Sequence, residues 1–252
     1  MSKVVAIHSF RRSAGRSSLA ANLAVLLAIQ GRRVGILDVD FQSPTLQLLF
    51  DQNPESDSMN LNSYLWGECE IQQACNDISK NLGIKAPGAL FFAPASPEAA
   101  DIATMLRQSY PSERLNDGIQ ALEDAFTLDY VIFDTAAGIS EETLAPIALA
   151  DSLILLLRPD QQDYQGTAVT LDVAHSLKVA DIYLALNYTP STFDAGKLIQ
   201  ELETTYGCRV GALLPYSERL STLASRRILA LYDPSDAYIQ EAQRLIAWLE
   251  GL

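Results

Sequence analysis

Val4-Val5-Ala6-Ile7-His8-Ser9-Phe10-Arg11-Arg12-Ser13-Ala14-Gly15-Arg16-Ser17-Ser18-Leu19-Ala20-Ala21-Asn22-Leu23 is the stretch that decides the fold. It opens with four consecutive apolar residues, passes through a polar loop and enters a run with helical spacing. Over 17–30, Leu19, Leu23, Leu26 and Leu27 share one face, and Gly31 is placed to end the helix. A loop between a first strand and its helix aims free backbone N–H groups and the positive end of the helix at one point. An anion, most often a phosphate, binds there.

Working outward, short apolar runs recur at 4–7, 34–37, 89–92, 130–133, 153–157, 182–186 and 210–214. Runs that are apolar at nearly every position predict strands covered on both faces, as in a parallel sheet with helices between the strands. Residues 234–249 predict a packing helix, with Ile239, Ala242, Leu245, Ile246 and Leu249 on one side. Its polar face carries Glu241 and Glu250 against Arg244, the wrong charge for a helix lying on anionic lipid. The segments 51–62 and 79–88 are polar and turn-rich and read as loops, so residues 1–252 are expected to form a single domain.

Of the 252 residues, 48% are hydrophobic and 19% charged, enough apolar material for a two-sided core. The formal charge of -13 disfavours a broad electropositive face, so nonspecific DNA binding is not indicated, although Arg219, Arg226 and Arg227 form a local basic cluster. Cys69, Cys75 and Cys208 lack metal-site or disulfide spacing. His8 and His175 lack ligand spacing. No apolar run is long enough for a membrane span, and a cytoplasmic protein is expected.

The loop, together with Asn22-Leu23-Ala24 and Gly31-Arg32-Arg33-Val34-Gly35-Ile36-Leu37-Asp38-Val39-Asp40, resembles the MinD/ParA family of deviant Walker-box P-loop ATPases. The likeness is greatest to a MinD-like group whose loop begins His-Ser-Phe-Arg, as His8 to Arg11 do here. The resemblance implies a three-layer α/β fold, a doubly wound, mostly parallel sheet flanked by helices, binding ATP or ADP with Mg2+. By position it implies nucleotide binding by Ala14, Gly15, Arg16, Ser17, Ser18, Asn187 and Pro215. Ser17, Asp38 and Asp134 would lie around the metal, Asp40 beside the attacking water, and Arg11 would match the lysine that reaches across a homodimer. Arg158-Pro159-Asp160 falls where relatives build further contacts across that dimer.

Three residues depart from the family pattern. Arg12 and Ser13 replace paired glycines, which removes close backbone approach and resists positive φ. Arg16 replaces a lysine with a longer planar fork. The sequence therefore implies a dimeric positioning or partitioning switch with impaired hydrolysis, acting with an adaptor or cargo protein. The alternative is a pseudo-ATPase scaffold. A metabolic enzyme of the same fold ranks last, since the cysteines do not suit an iron-sulfur reductase and no second substrate motif is present.

Overall fold

The computed structural model describes residues 1–52, 58–108 and 110–251. Residues 53–57, inside the loop expected over 51–62, lie outside the described ones. In chain order the elements are β1 (Lys3–His8), α1 (Arg16–Ile29), β2 (Arg33–Val39), α2 (Leu46–Leu49), α3 (Leu61–Leu65), β3 (Asn76–Asp77) and β4 (Ala89–Ala93). They continue with α4 (Ala99–Met105), α5 (Ser112–Phe126), β5 (Tyr130–Thr135), α6 (Glu141–Leu149), β6 (Ser152–Leu157) and α7 (Gln161–Ser176). The last are β7 (Asp181–Thr189), α8 (Ala195–Tyr206), β8 (Arg209–Pro215), α9 (Glu218–Leu223), α10 (Leu229–Tyr232) and α11 (Ala237–Leu249).

Among the described residues all eight strands join one sheet in the order β3-β4-β2-β5-β1-β6-β7-β8. Every pairing is parallel except that of β3 with β4. Each of the seven apolar runs falls inside a strand. Their continuous hydrophobicity follows from burial on both faces, because alternate strand residues enter two separate cores. Val5, Ile7, Ile36, Ile132 and Ile154 pack with α1 and α11. Val4, Ala6, Leu37, Phe133 and Leu155 pack with α5, α6, α7 and α8. This is the three-layer arrangement the resemblance implies.

The C-terminal helix buries Ile239, Ala242, Leu245, Ile246 and Leu249, as its spacing predicts, and begins at Asp236, whose carboxylate accepts the Tyr238 N–H. Among the described residues no helix is long and apolar enough to cross a membrane. β1 lies between β5 and β6, and the chain winds first to one side of it and then to the other. That reversal opens a crevice beyond the carboxyl ends of the strands, and the loop of residues 9–15 sits over it.

Candidate functional site

The loop leaves β1 at His8 and turns into α1 at Gly15, which has φ 98°. Ser13 holds φ 61°, so the left-handed geometry that serine should resist is adopted at one of the two former glycine positions. The cost of such a residue is about 1–2 kcal/mol. No side chain caps α1 and no acid lies in its first turn, leaving its N-terminal N–H groups for a ligand. They face a cleft of about 420 Å3 lined by Arg12, Ser13, Arg16, Ser17, Ser18 and Asp40, among others.

Arg16 is only 7% exposed because its guanidinium turns inward across the strand ends. Nε donates to the Thr135 carbonyl (2.8 Å), one terminal nitrogen to Ser9 Oγ (2.7 Å), and the other to Asp40 Oδ2 (3.1 Å). Each nitrogen therefore already has a partner. Of its five N–H donors most are thus committed within the chain, and the nitrogen on Asp40 keeps one more.

Asp38 and Asp134 stand opposite each other in the β2–β5 register. Asp38 accepts the N–H groups of Asp40, Thr45 and Leu46, each at 3.2 Å. Both Asp134 oxygens are buried without a well-formed hydrogen bond, although the Ser17 hydroxyl is near enough to ease the charge. Burial raises the Asp134 pKa to about 7, with Ser17 and Arg16 pulling it down. Asp38 is raised well above the usual range by burial and then by Asp134 and Asp40. Asp40 is raised by burial, with Arg16 opposing.

Three buried carboxyl groups thus face one guanidinium, and this surplus suits a divalent cation. Among the described residues no group of three His, Cys, Asp or Glu side chains is arranged to hold a metal. Magnesium usually takes one or two protein ligands and completes its shell with water and phosphate. Ser17 and the unpartnered Asp134 fit that role, with Asp38 behind them.

His8 was not singled out by the sequence. It is fully buried, with Nδ1 2.7 Å from Thr135 Oγ1 and Nε2 without a partner. Burial, and then Arg16, lower its pKa to about 3, so it is neutral. A histidine closing an otherwise apolar strand was the available signal.

Arg11 pairs within its own chain, with Asp160 at 3.2 Å and Asp163 at 3.4 Å. Arg158 pairs with the same two acids at 3.4 and 3.1 Å. The structure thus brings together Arg11, Arg158 and Asp160, and adds the buried Asp163. Asn187 and Pro215 share a cavity of about 160 Å3 with Ser18 and Tyr188. Asn187 spends its amide elsewhere: Nδ2 donates to the Ala14 carbonyl (2.7 Å) and Oδ1 accepts the Tyr188 N–H (2.9 Å). Of the basic cluster, Arg219 pairs with Asp233, while Arg226 and Arg227 flank a separate cavity with Leu231 and Tyr232.

A parallel sheet with an anion-binding loop after its first strand, at the switch point, and with carboxylates on neighbouring strand ends, defines the P-loop nucleoside-triphosphatase class. A family model described as an AAA domain matches residues 2–182, and the chain belongs to that family. An uncharacterized ATP-binding protein of Methanocaldococcus jannaschii is 31% identical over 64% of this chain and 54% of its own length. The chain thus spans about half of that relative. A putative septum site-determining protein MinD of Emiliania huxleyi is 24% identical over 98% of this chain and 88% of its own. The septum site-determining protein MinD of Pyrococcus horikoshii, solved with Mg-ADP, superposes with a TM-score of 0.80 at 18% identity, covering 99% of this chain and 96% of that one. At that identity the likeness speaks for the fold.

Proposed function

We propose that this chain is a nucleotide-binding switch of the MinD/ParA type, a single domain over 1–252 that acts as a cytoplasmic homodimer in positioning or partitioning a cargo, with ATP turnover suppressed. The observation that carries this reading is the buried Arg16–Asp40 pair at 3.1 Å. The first-turn N–H groups of α1, with the Ser17 and Ser18 hydroxyls, receive the phosphates of ATP or ADP. Ser17 and Asp134 hold Mg2+, backed by Asp38, and the ion supplies charge neutralisation on the phosphates. Asp40 is the residue placed to orient a water, but the carboxylate that would do so is tied to Arg16. Binding survives this arrangement better than hydrolysis does. The partner that reads the switch is an adaptor or cargo protein; DNA is disfavoured by the net charge of -13 and the pairing of Arg219.

The test is calorimetric titration with ATP and magnesium, light scattering at saturation, and a phosphate-release assay on the parent and on the Arg12→Gly, Ser13→Gly, Arg16→Lys variant. Binding with a doubling of mass, and release only from the variant, is expected. Rapid release by the parent would sink the suppressed-turnover reading. A second reading, a pseudo-ATPase scaffold without nucleotide, is favoured by the in-chain hydrogen bonds that Arg16 and Asn187 already make. Absence of binding at millimolar ATP would select it.

A further inference from the structure

Beside the phosphate cleft, and sharing Leu49 with it, lies a groove of about 270 Å3. Its floor is apolar: Leu49, Phe50 and Ile228 are buried there, while Leu231 and Tyr232 stay 39% and 57% exposed. Arg226 and Arg227 line the same groove. Among the described residues neither forms an ion pair, whereas Arg219 of the same basic cluster is committed to Asp233. Asp51 is the one acid among the described lining residues, and it pairs with neither arginine.

The two arginines are placed by a held turn. Ala224 and Ser225 have φ 47° and 58°, a left-handed pair that costs about 1–2 kcal/mol per residue. The Arg226 N–H closes the turn on the Leu223 carbonyl at 2.9 Å. On the other side α10 is fastened to α1, because the Ala230 N–H donates to Oδ1 of the buried Asn22 at 2.8 Å. A chain of net charge -13 thus keeps two uncompensated guanidinium forks at an apolar opening. That combination fits a segment with an apolar anchor between carboxylates. Nucleic acid fits it less well: a duplex backbone asks for a basic stripe, and here two arginines border an apolar hollow with Asp51 beside them.

We propose that this groove docks a short acidic segment of a partner protein: a Leu, Phe or Trp side chain enters the hollow while flanking Asp or Glu carboxylates pair with Arg226 and Arg227. It gives the adaptor of the reading above its chemistry, and rests on that reading. Because Leu49 walls both groove and cleft, and Asn22 ties α10 to α1, ligation of one site alters affinity at the other.

A random library of short peptides displayed on phage is selected on the full chain without nucleotide, and the enriched peptides are synthesised and titrated by fluorescence anisotropy. They are expected to carry Asp or Glu beside Leu, Phe or Trp. Arg226→Glu, Arg227→Glu and Leu231→Asp, all at exposed positions, each weaken them roughly tenfold. Arg244→Glu, the same change of charge on a 69% exposed side chain of α11, leaves them unaltered. Selection that enriches nothing, enriches basic peptides, or yields peptides indifferent to the three groove variants would overturn the proposal. So would a labelled DNA duplex of random sequence that binds the parent and is lost in both arginine variants, or a doubling of mass abolished by Leu231→Asp, which would make the groove a contact for a second copy. A peptide affinity unchanged by ATP and magnesium would remove the coupling, and with it the adaptor reading, while the docking stands.

Discussion

Arg16 is the only guanidinium hydrogen-bonded to Asp40 among the described residues, and its removal tests how far the site depends on it. Arg16→Met leaves a buried carboxylate beside Asp38 and Asp134 without its countercharge, a change that costs about 3–5 kcal/mol. Urea denaturation measures the loss, and adding Asp40→Asn is expected to recover most of it. If Arg16→Met alone is neutral, the pair is not what holds these strand ends. His8 offers an independent residue-level test. Its pKa falls from 6.5 to about 3 on folding, so the unfolded chain takes up the proton first. The stabilisation is complete above the unfolded value and is lost as pH falls from there through the folded one. By about pH 5 the loss is about 2 kcal/mol. His8→Asn, which keeps an amide near the position of Nδ1, abolishes that loss. The raised carboxyl groups Asp38 and Asp134 push stability the opposite way, but equally in both proteins. The difference between parent and variant across pH, followed by chemical denaturation, therefore isolates the histidine; parallel curves would mean that His8 is not held neutral.

At the scale of elements, α7 fixes the loop from the opposite side. A Cβ at Gly166 would lie 2.0 Å from the Phe10 ring, so Gly166→Ala is expected to displace Phe10 and the loop beyond it. Overpacking of this kind costs about 1–3 kcal/mol, visible as a lowered melting temperature; an unchanged one would mean that Phe10 swings away freely. The same helix shows where the sequence falls silent. Besides Leu171 and Ala174 it buries Gly166, Thr167 and Thr170, small residues that leave its apolar stripe short. In α5, Leu115, Ile119 and Leu122 do follow helical spacing, but Gly118 interrupts them because the Tyr64 ring lies against it. β3 is two exposed polar residues recruited by the backbone of β4 and has no side-chain signal. The seven long strands were legible because burial on both faces makes them apolar throughout. That Asp38, Asp40 and Asp134 fall at the ends of strands was legible too. What was not legible is how the side chains there are spent: Arg16, Arg11 and Asn187 each have a partner that lies 119, 149 and 173 positions away respectively, and only the assembled sheet brings them together.

For the whole molecule, the strand order gathers the ends of β1, β2, β5 and β7 along one edge, so a single face carries the loop, the carboxylates and the Arg11–Arg158–Asp160–Asp163 cluster. Within that cluster two arginines balance two acids, so it offers a second copy no net attraction while the in-chain pairs persist. Each copy meanwhile brings a formal charge of -13. Joining two such chains face to face is opposed by long-range repulsion, which salt screens over about 10 Å at roughly 0.1 M. The proposed nucleotide-driven dimerisation is therefore expected to strengthen as ionic strength rises from roughly 0.05 to 0.3 M, where screening removes the repulsion and leaves short-range packing nearly untouched. Light scattering at fixed protein, ATP and magnesium measures it as a fall in the concentration at which mass doubles. Association that weakens with salt would point the other way: Arg11 would have left Asp160 and Asp163 to pair with the second copy, making the in-chain cluster the resting form of an ion-pair exchange across the dimer.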